Sequence, residues 1–443
     1  MRDTRPGRAQ AEGPARSPHE GAFLARQGPP GMLAADDGPM LAAEARFLYA
    51  TGPGSAAASP EACPRQWPAG APPPGELRQF HAALPGYAPT PLVSMPELAD
   101  ALGAATVHIK LETLRLGLPS FKIMGASWGA VTALRQLLPP QWAPERGLGW
   151  LKGKLPDVTL LAATDGNHGV ALARVARWLG VGCRVYVPEA LTGAQAGRIT
   201  SEGAEAVRVA GGYDDAVRRS AAEGRKPGRV LVSDTSWPGY EAVPAAVMAG
   251  YATILRETAE QLSALGQGPP DLVIVQLGVG SFGAAVIRHF ASAAEPRARI
   301  LGVEPATAAC VMASMAAGRR LTVPGPHRSV AAGLNCGTPS YLAWPALARG
   351  LDGTVALGDE HSNAGVRILA RNGIAAGPCS GIALAAAREL LAGPHASLHR
   401  GRLRLAAKPR VLLFATDGPP GDSQRSGGRG RAGDPAQGGC YGQ

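Results

Sequence analysis

Short apolar runs alternate with amphipathic stretches over most of the chain, and glycine-rich polar loops separate them. Runs such as 158–162 (VTLLA) and 271–277 (DLVIVQL) are brief, rich in aliphatic residues and bounded by turn residues, which predicts buried strands. The stretches between them carry Ala, Val and Leu at helical spacing, which predicts helices. Strands that alternate with helices are typical of parallel sheets with helices on their faces, so the pattern predicts an α/β fold.

The predicted elements begin near residue 76 and continue to residue 415. We expect strands at 92–93, 106–111, 158–162, 183–188, 205–210, 230–233, 271–277, 297–305 and 411–415. We expect helices at 76–84, 96–102, 125–138, 170–179, 194–202, 214–223, 245–265, 284–291, 310–318, 362–371 and 380–392.

The terminal segments differ in composition from the rest of the chain. Residues 1–44 and 419–443 are rich in Gly, Pro and Arg without a sustained period, so we expect both to be disordered. The length suits two lobes. We expect a large lobe from 45–129 and 236–418, with a small lobe at 130–235 inserted into it.

Composition limits the partners of the protein. The 443 residues carry a net charge of +10 with only 5% aromatics, and the arginines are spread out, so we expect no nucleic-acid partner. An RNA-associating tail at 425–433 (RSGGRGRAG) is an alternative that predicts salt-sensitive binding. No apolar run reaches a membrane span of roughly 18 residues, which predicts no membrane partner. The six cysteines lack metal-like spacing, so we expect reduced thiols, no metal site and a cytoplasmic location.

Lys122 lies within an otherwise apolar stretch, 118–126 (LPSFKIMGA). Desolvation there is expected to lower the pKa of its amine and leave it unprotonated. Such an amine forms Schiff bases with carbonyl compounds. The alternative is a surface lysine whose aliphatic stem covers an apolar helix.

A glycine loop at 278–283 (GVGSFG) joins a predicted strand to a predicted helix. Its backbone N–H groups can bind a phosphate at the helix N-terminus, although a tight turn would use the same residues. Glu304 follows the next strand at the distance of the acidic residue in a nucleotide-binding fold. A nucleotide-binding oxidoreductase therefore remains an alternative.

Other polar loops also follow predicted strands. Residues 163–169 (ATDGNHG) and Asp234 come after two of them, and Thr416 ends the last one. Each could be a plain turn or a helix cap. Ligands of open α/β sheets bind at the carboxyl ends of the strands, so we expect these loops to form one site.

The order of these motifs resembles the fold type II (tryptophan synthase β-like) pyridoxal-phosphate enzymes, and more narrowly the diaminopropionate ammonia-lyases. The stretches that carry the resemblance are 80–92 (FHAALPGYAPTPL), 116–127 (LGLPSFKIMGAS), 163–169 (ATDGNHG), 213–218 (YDDAVR), 233–244 (SDTSWPGYEAVP), 278–283 (GVGSFG) and 331–339 (AAGLNCGTP). The resemblance implies two open, twisted, mostly parallel-sheet lobes with pyridoxal 5′-phosphate between them, in a homodimer.

The resemblance also assigns roles to individual residues. Lys122 would form the Schiff base with the cofactor and act as acid and base, and Asp165 would be the base for a D-substrate. The cofactor would be held by Lys122, Asn167, Gly278, Val279, Gly280, Ser281 and Thr416. The amino-acid substrate would be held by Thr164, Asp165, His168 and Asp234.

These roles imply elimination of ammonia from 2,3-diaminopropionate, giving pyruvate and two ammonia. A serine/threonine dehydratase of the same fold is the alternative, and it would not need Asp165 or Asp234. Two positions depart from the lyase pattern: Val170 directly follows GNHG where an Arg-Gly pair is usual, and Cys379 replaces a glutamate.

Overall fold

The structure, a computed structural model, describes residues 45–50, 74–164, 166–291 and 297–419. The expected disorder of 1–44 and of nearly all of 419–443 concerns residues outside these ranges. No helix within them is long and apolar enough to cross a membrane.

Eleven strands in the described ranges form two sheets. They are β1 Arg46–Tyr49, β2 Leu92–Ser94, β3 Thr106–Leu111, β4 Thr159–Ala163, β5 Gly182–Pro188, β6 Glu205–Val209, β7 Arg229–Leu231, β8 Leu272–Gln276, β9 Arg299–Pro305, β10 Gly353–Leu357 and β11 Arg410–Ala415. The larger sheet has the order β1-β10-β9-β8-β11-β3-β2, and the smaller has the order β6-β5-β4-β7. All pairs are parallel except the two at the edges of the larger sheet, β1 with β10 and β2 with β3.

Helices cover both sheets. They are α1 Pro74–Ala82, α2 Pro96–Ala101, α3 Lys122–Ala133, α4 Asn167–Leu179, α5 Gly193–Ser201, α6 Tyr213–Glu223, α7 Ala242–Gly250, α8 Ala252–Ala264, α9 Ser281–Phe290, α10 Cys310–Ala316, α11 Trp344–Gly350, α12 Asp359–Arg371, α13 Pro378–Ala392 and α14 Ala396–Arg402. The predicted α/β class is therefore confirmed. The smaller sheet falls inside the predicted small lobe, whose residue boundaries stay a prediction.

Five helix predictions need correction by three residues or more. Those at 170–179 and 362–371 begin three residues earlier, at Asn167 and Asp359. The helix predicted at 125–138 begins three residues earlier, at Lys122, and ends at Ala133. The helix predicted at 284–291 begins at Ser281. The long helix predicted at 245–265 is two helices, α7 and α8, separated at Tyr251. The break follows Gly250, where a side chain would collide with the backbone of α3, so α7 and α3 are in close contact at that residue.

A buried charged cluster lies under the loop that leads from β3 to Lys122. The Arg115 guanidinium donates to Glu112 at 2.6 Å and to Glu257 at 2.7 Å, and the Lys110 amine donates to Glu257 at 2.9 Å. All four side chains are at most 4% exposed, and their two positive and two negative charges balance. Buried charges need such pairing, so the cluster fixes this loop against α8.

His81 joins α1 to the first turn of α3. Its Nε2 donates to the Met124 carbonyl at 3.0 Å, and its Nδ1 accepts from the Thr253 hydroxyl at 2.7 Å. This pairing uses the neutral ring. Full burial is the main cause that lowers the pKa of His81 from 6.5 to about 3.

Stability is therefore expected to fall as the pH drops below about 6.5. Below that pH, His81 binds a proton in the unfolded chain but stays neutral in the folded protein. The free energy of unfolding therefore falls by at most about 1.4 kcal/mol per pH unit. Urea unfolding of the wild type and of His81→Gln, each at pH 7 and pH 5, measures the contribution of His81 to this loss of stability. The variant should lose less stability between the two pH values, and an equal loss would contradict the assignment.

Candidate active site

A cleft lies at the carboxyl ends of strands from both sheets, where α/β folds bind ligands. It brings together every predicted site residue that the structure describes. These are Lys122, Thr164, Asn167, His168, Asp234, Gly278, Val279, Gly280, Ser281 and Thr416. The remaining predicted residue, Asp165, lies outside the described residues.

Lys122 is the first residue of α3 and points into the cleft. Its Nζ donates to Oδ2 of Asp234 at 2.7 Å, and Oδ1 of the same carboxylate accepts from the Tyr213 hydroxyl at 3.3 Å. The Lys122 side chain is 20% exposed and that of Asp234 is 8% exposed. The two groups form a nearly buried ion pair at the centre of the site.

This ion pair reverses the pKa expected for Lys122. Burial alone lowers the pKa of the amine, but the Asp234 carboxylate outweighs burial and holds that pKa above its ordinary value. Burial likewise raises the pKa of Asp234, and the Lys122 ammonium overcomes this and sets it at about 2. The lysine is therefore charged here, and the prediction of an unprotonated amine was wrong because the sequence did not pair the two residues.

Thr164 and Gly166 lie between β4 and α4. The Thr164 hydroxyl accepts the Gly166 N–H at 3.0 Å, and Gly166 has a φ of 156°, which glycine adopts readily. The next residue, Asn167, begins α4 at the edge of the cleft. The His168 Nε2 donates to the Val232 carbonyl at 2.8 Å, so Nδ1 is a buried acceptor, and no described residue donates to it.

Residues 278–281 form a glycine-lined corner at the start of α9. Gly280 has a φ of 89°, in the left-handed region, and a side chain there would overlap Leu347, so only glycine fits. Because α9 begins at Ser281, the loop places the unpaired N–H groups of a helix N-terminus at the cleft. The Ser281 hydroxyl donates to the Asp234 carbonyl at 2.8 Å, which joins this corner to the ion pair.

Thr416 follows β11 and faces the cleft. The next residue, Asp417, accepts the backbone N–H groups of Cys379 at 3.1 Å and Ser380 at 2.8 Å, in the first turn of α13. The Gly418 N–H donates to the Pro119 carbonyl at 2.9 Å, three residues before Lys122. The end of β11 is therefore fixed to both the lysine loop and α13.

The residues of the cleft wall that the sequence did not single out include Tyr213, Gln276 and Asp417. Tyr213 lies within YDDAVR, and Asp417 directly follows Thr416, so their neighbours gave a signal. Gln276 gave a weaker one, as a polar residue that ends a wholly buried strand.

The nucleotide-binding alternative depended on Glu304, and the structure gives that residue another use. Glu304 is fully buried, and its carboxyl oxygens accept the N–H groups of Val311 at 2.7 Å and Met312 at 2.8 Å. Burial raises its pKa to about 8. It caps α10 and does not face a ligand.

The cleft fits pyridoxal phosphate. That cofactor carries an aldehyde, a phosphate and a ring nitrogen, and the cleft offers the amine of Lys122, the helix N-terminus at 278–281 and the hydroxyl of Thr416. A carboxylate that faces the ring nitrogen would bind its protonated form, whereas a threonine hydroxyl is neutral. No group of three or more metal-binding side chains occurs in the described ranges.

The fold and this site define a pyridoxal-phosphate enzyme. Residues 83–398 match the family described as pyridoxal-phosphate dependent enzyme, and the chain belongs to it.

Within that family the chain belongs with the diaminopropionate ammonia-lyases. It is 34% identical to the diaminopropionate ammonia-lyase of Salmonella typhimurium over 77% of this chain and 88% of that protein. It is 32% identical to the enzyme of Escherichia coli K12, over 66% and 73% of the two chains. The crystal structure of the Escherichia coli enzyme in complex with an aminoacrylate-PLP azomethine reaction intermediate superposes with a TM-score of 0.75. It has 26% identity and covers 86% of this chain and 95% of that one.

Proposed function

We propose that this protein eliminates ammonia from 2,3-diaminopropionate, and that the product hydrolyses to pyruvate and a second ammonia. The observation that carries the proposal is the buried carboxylate of Asp234, 2.7 Å from the Lys122 amine. With pyridoxal phosphate bound, Lys122 would be committed to the cofactor, and Asp234 would be available to pair with a second cation in the cleft. The distal ammonium of diaminopropionate supplies one, and the hydroxyl of serine does not.

The cofactor would be held by the residues at the two ends of the cleft. The backbone N–H groups of 278–281 would bind its phosphate, Thr416 would face its ring nitrogen, and Asn167 would bind its ring hydroxyl. Bound pyridoxal phosphate supplies an electron sink that stabilises negative charge at the substrate α-carbon.

The proton transfers fall to side chains of this chain. Lys122 would remove the α-proton of one enantiomer, and Asp165 would remove that of the other. Asp234 and Tyr213 would orient the β-ammonium, with Thr164 and His168 completing the substrate pocket. The buried His168 Nδ1 is a further acceptor for an N–H donor of the substrate.

A serine/threonine dehydratase of the same fold is the second candidate, and the choice of substrate separates the two. The test is pyruvate release, followed with lactate dehydrogenase, from D- and L-diaminopropionate, serine and threonine. If the protein is a diaminopropionate ammonia-lyase, its kcat/KM for diaminopropionate should be at least about tenfold above that for serine. A preference for serine or threonine would retain the cofactor chemistry and reject this substrate.

Asp234→Asn is expected to lower kcat/KM for diaminopropionate on the order of 100-fold, and to lower that for serine much less. The amide keeps the shape of the carboxylate but loses the charge that pairs with the distal ammonium. The substitution also removes the ion pair with Lys122, which affects both substrates, so the ratio of the two kcat/KM values isolates the substrate contact. An equal fall for both substrates would show that Asp234 acts through Lys122 alone.

Assembly and location depend on the resemblance to the ammonia-lyases. We propose a homodimer in the cytoplasm, with the amino acid as its small-molecule partner.

A further inference from the structure

The two central strands of the larger sheet separate as they approach the cleft. β11 pairs with β3 over the whole of its length, from Arg410 to Ala415. On its other side, β11 pairs with β8 only at Val411 and Leu412. β8 itself pairs with β9 at all of its residues. The sheet therefore opens between β8 and β11 at its carboxyl end.

The side chain of Gln276 spans this opening. The Ala415 carbonyl accepts the Glu112 N–H at 2.8 Å on the β3 side, so the preceding carbonyl, that of Phe414, faces β8. The Gln276 Nε2 donates to that Phe414 carbonyl at 2.7 Å. A side chain thus supplies the link that the backbone ladder no longer makes.

Packing alone does not explain a glutamine at this position. Gln276 is 4% exposed at the end of a strand whose other residues are buried and apolar. A carbonyl can only accept a hydrogen bond, so the amide nitrogen of Gln276 must face Phe414, and the amide oxygen, Oε1, must point away from it. That oxygen is buried, and no described residue donates to it, at a cost of about 1–3 kcal/mol. Leucine would fill similar space without that cost.

The hydrogen bond between Gln276 and Phe414 is close in sequence to both parts of the proposed cofactor site, Thr416 and the phosphate corner at 278–281. Thr416 lies two residues after Phe414, and Gly278, the first residue of the phosphate corner, lies two residues after Gln276. Thr416, Gln276 and Gly278 all line the cleft. We infer that Gln276 is a positioning residue that sets the separation of Thr416 from the phosphate corner, so that pyridoxal phosphate meets both at once. This inference rests on the cofactor roles proposed above.

Gln276→Leu tests this inference through cofactor affinity, which does not require turnover. We expect its dissociation constant for pyridoxal phosphate, from fluorescence titration of dialysed protein, to rise about tenfold or more. The visible circular dichroism of the bound cofactor should change as well, because the ring sits differently. Far-UV circular dichroism checks that the variant is folded.

Gln261→Leu is the matched control. Gln261 is a partly buried glutamine that also donates to a backbone carbonyl, with Nε2 2.9 Å from the Thr90 oxygen. Its Oε1 accepts from the Lys110 amine at 2.9 Å, and it lies outside the cleft. The control should lose stability without a change in cofactor affinity. An equal rise in the dissociation constant for both variants would show that Gln276 affects cofactor binding only through the stability of the fold.

Gln276→Glu gives a second, independent measurement. A carboxyl group can donate to the Phe414 carbonyl only when protonated, so cofactor affinity relative to wild type should recover as the pH is lowered from 8 to 6. Wild-type affinity in Gln276→Leu, or no relative recovery in Gln276→Glu, overturns the inference alone. Failure of the wild type to bind pyridoxal phosphate would instead overturn the proposed cofactor roles.

Discussion

Lys122→Ala is expected to lower pyruvate release from diaminopropionate on the order of 10³-fold or more, because the substitution removes the amine that we propose to bind the cofactor and to transfer the α-proton. A coupled lactate dehydrogenase assay measures the loss. Borohydride reduction of the wild type should fix pyridoxal phosphate on the peptide that contains Lys122, and mass spectrometry should find none there in the variant.

Lys122→Arg is the control for this experiment. Arginine retains the positive charge beside Asp234, and so the ion pair, but its guanidinium does not form the bond to the cofactor. It should be as inactive as the alanine variant while staying closer to the wild type in stability. Substantial activity in either variant, or reduction that fixes the cofactor on another lysine, would contradict the role of Lys122.

Glu257→Ala is expected to lower the free energy of unfolding by about 3–5 kcal/mol, the usual effect of removing one partner from a buried ion pair. Glu257 accepts from both Lys110 and Arg115, so its loss leaves two buried cations with one carboxylate, that of Glu112. Urea unfolding followed by circular dichroism measures the change.

Glu260→Ala, on the same helix, is the control. Glu260 pairs with Arg78 at 3.4 Å, and both side chains are more than half exposed, so this pair should contribute less than about 1 kcal/mol. A similar small loss from both substitutions would mean that the buried cluster accommodates the missing charge, and that it does not fix the loop before Lys122.

Much of the fold could be predicted because its strands are short, apolar and bounded by glycine loops. The predicted strand at 106–111 is β3 without change. Elements whose stability comes from distant contacts were missed. β1 and β10 pair only with each other and with β9, and α11 and α14 carry no strong period of their own. The break at Tyr251 was missed because apolar residues keep helical spacing across it.

The residues of the site could be found from motifs, but their electrostatics could not. The apolar stretch at 118–126 gave Lys122, strand ends gave Asp234 and Thr416, and the cleft contains all three. The bond between Lys122 and Asp234 joins positions 112 residues apart, so the sequence offered burial as the only cause of a pKa shift and gave the wrong direction. The predicted role of Asp165 stays a prediction.

The position of β11 in the larger sheet has a consequence for how the protein is made. The last described strand in chain order lies in the middle of this sheet, between β8 and β3. Until the ribosome has released it, both neighbours present unpaired inner edges, which are sites of aggregation. Thr416 and Asp417 directly follow β11, so the wall of the cleft is complete only after that point in translation. Loss of the chain from residue 410 onward would take Thr416 and Asp417 from the cleft and leave the inner edges of β8 and β3 unpaired together.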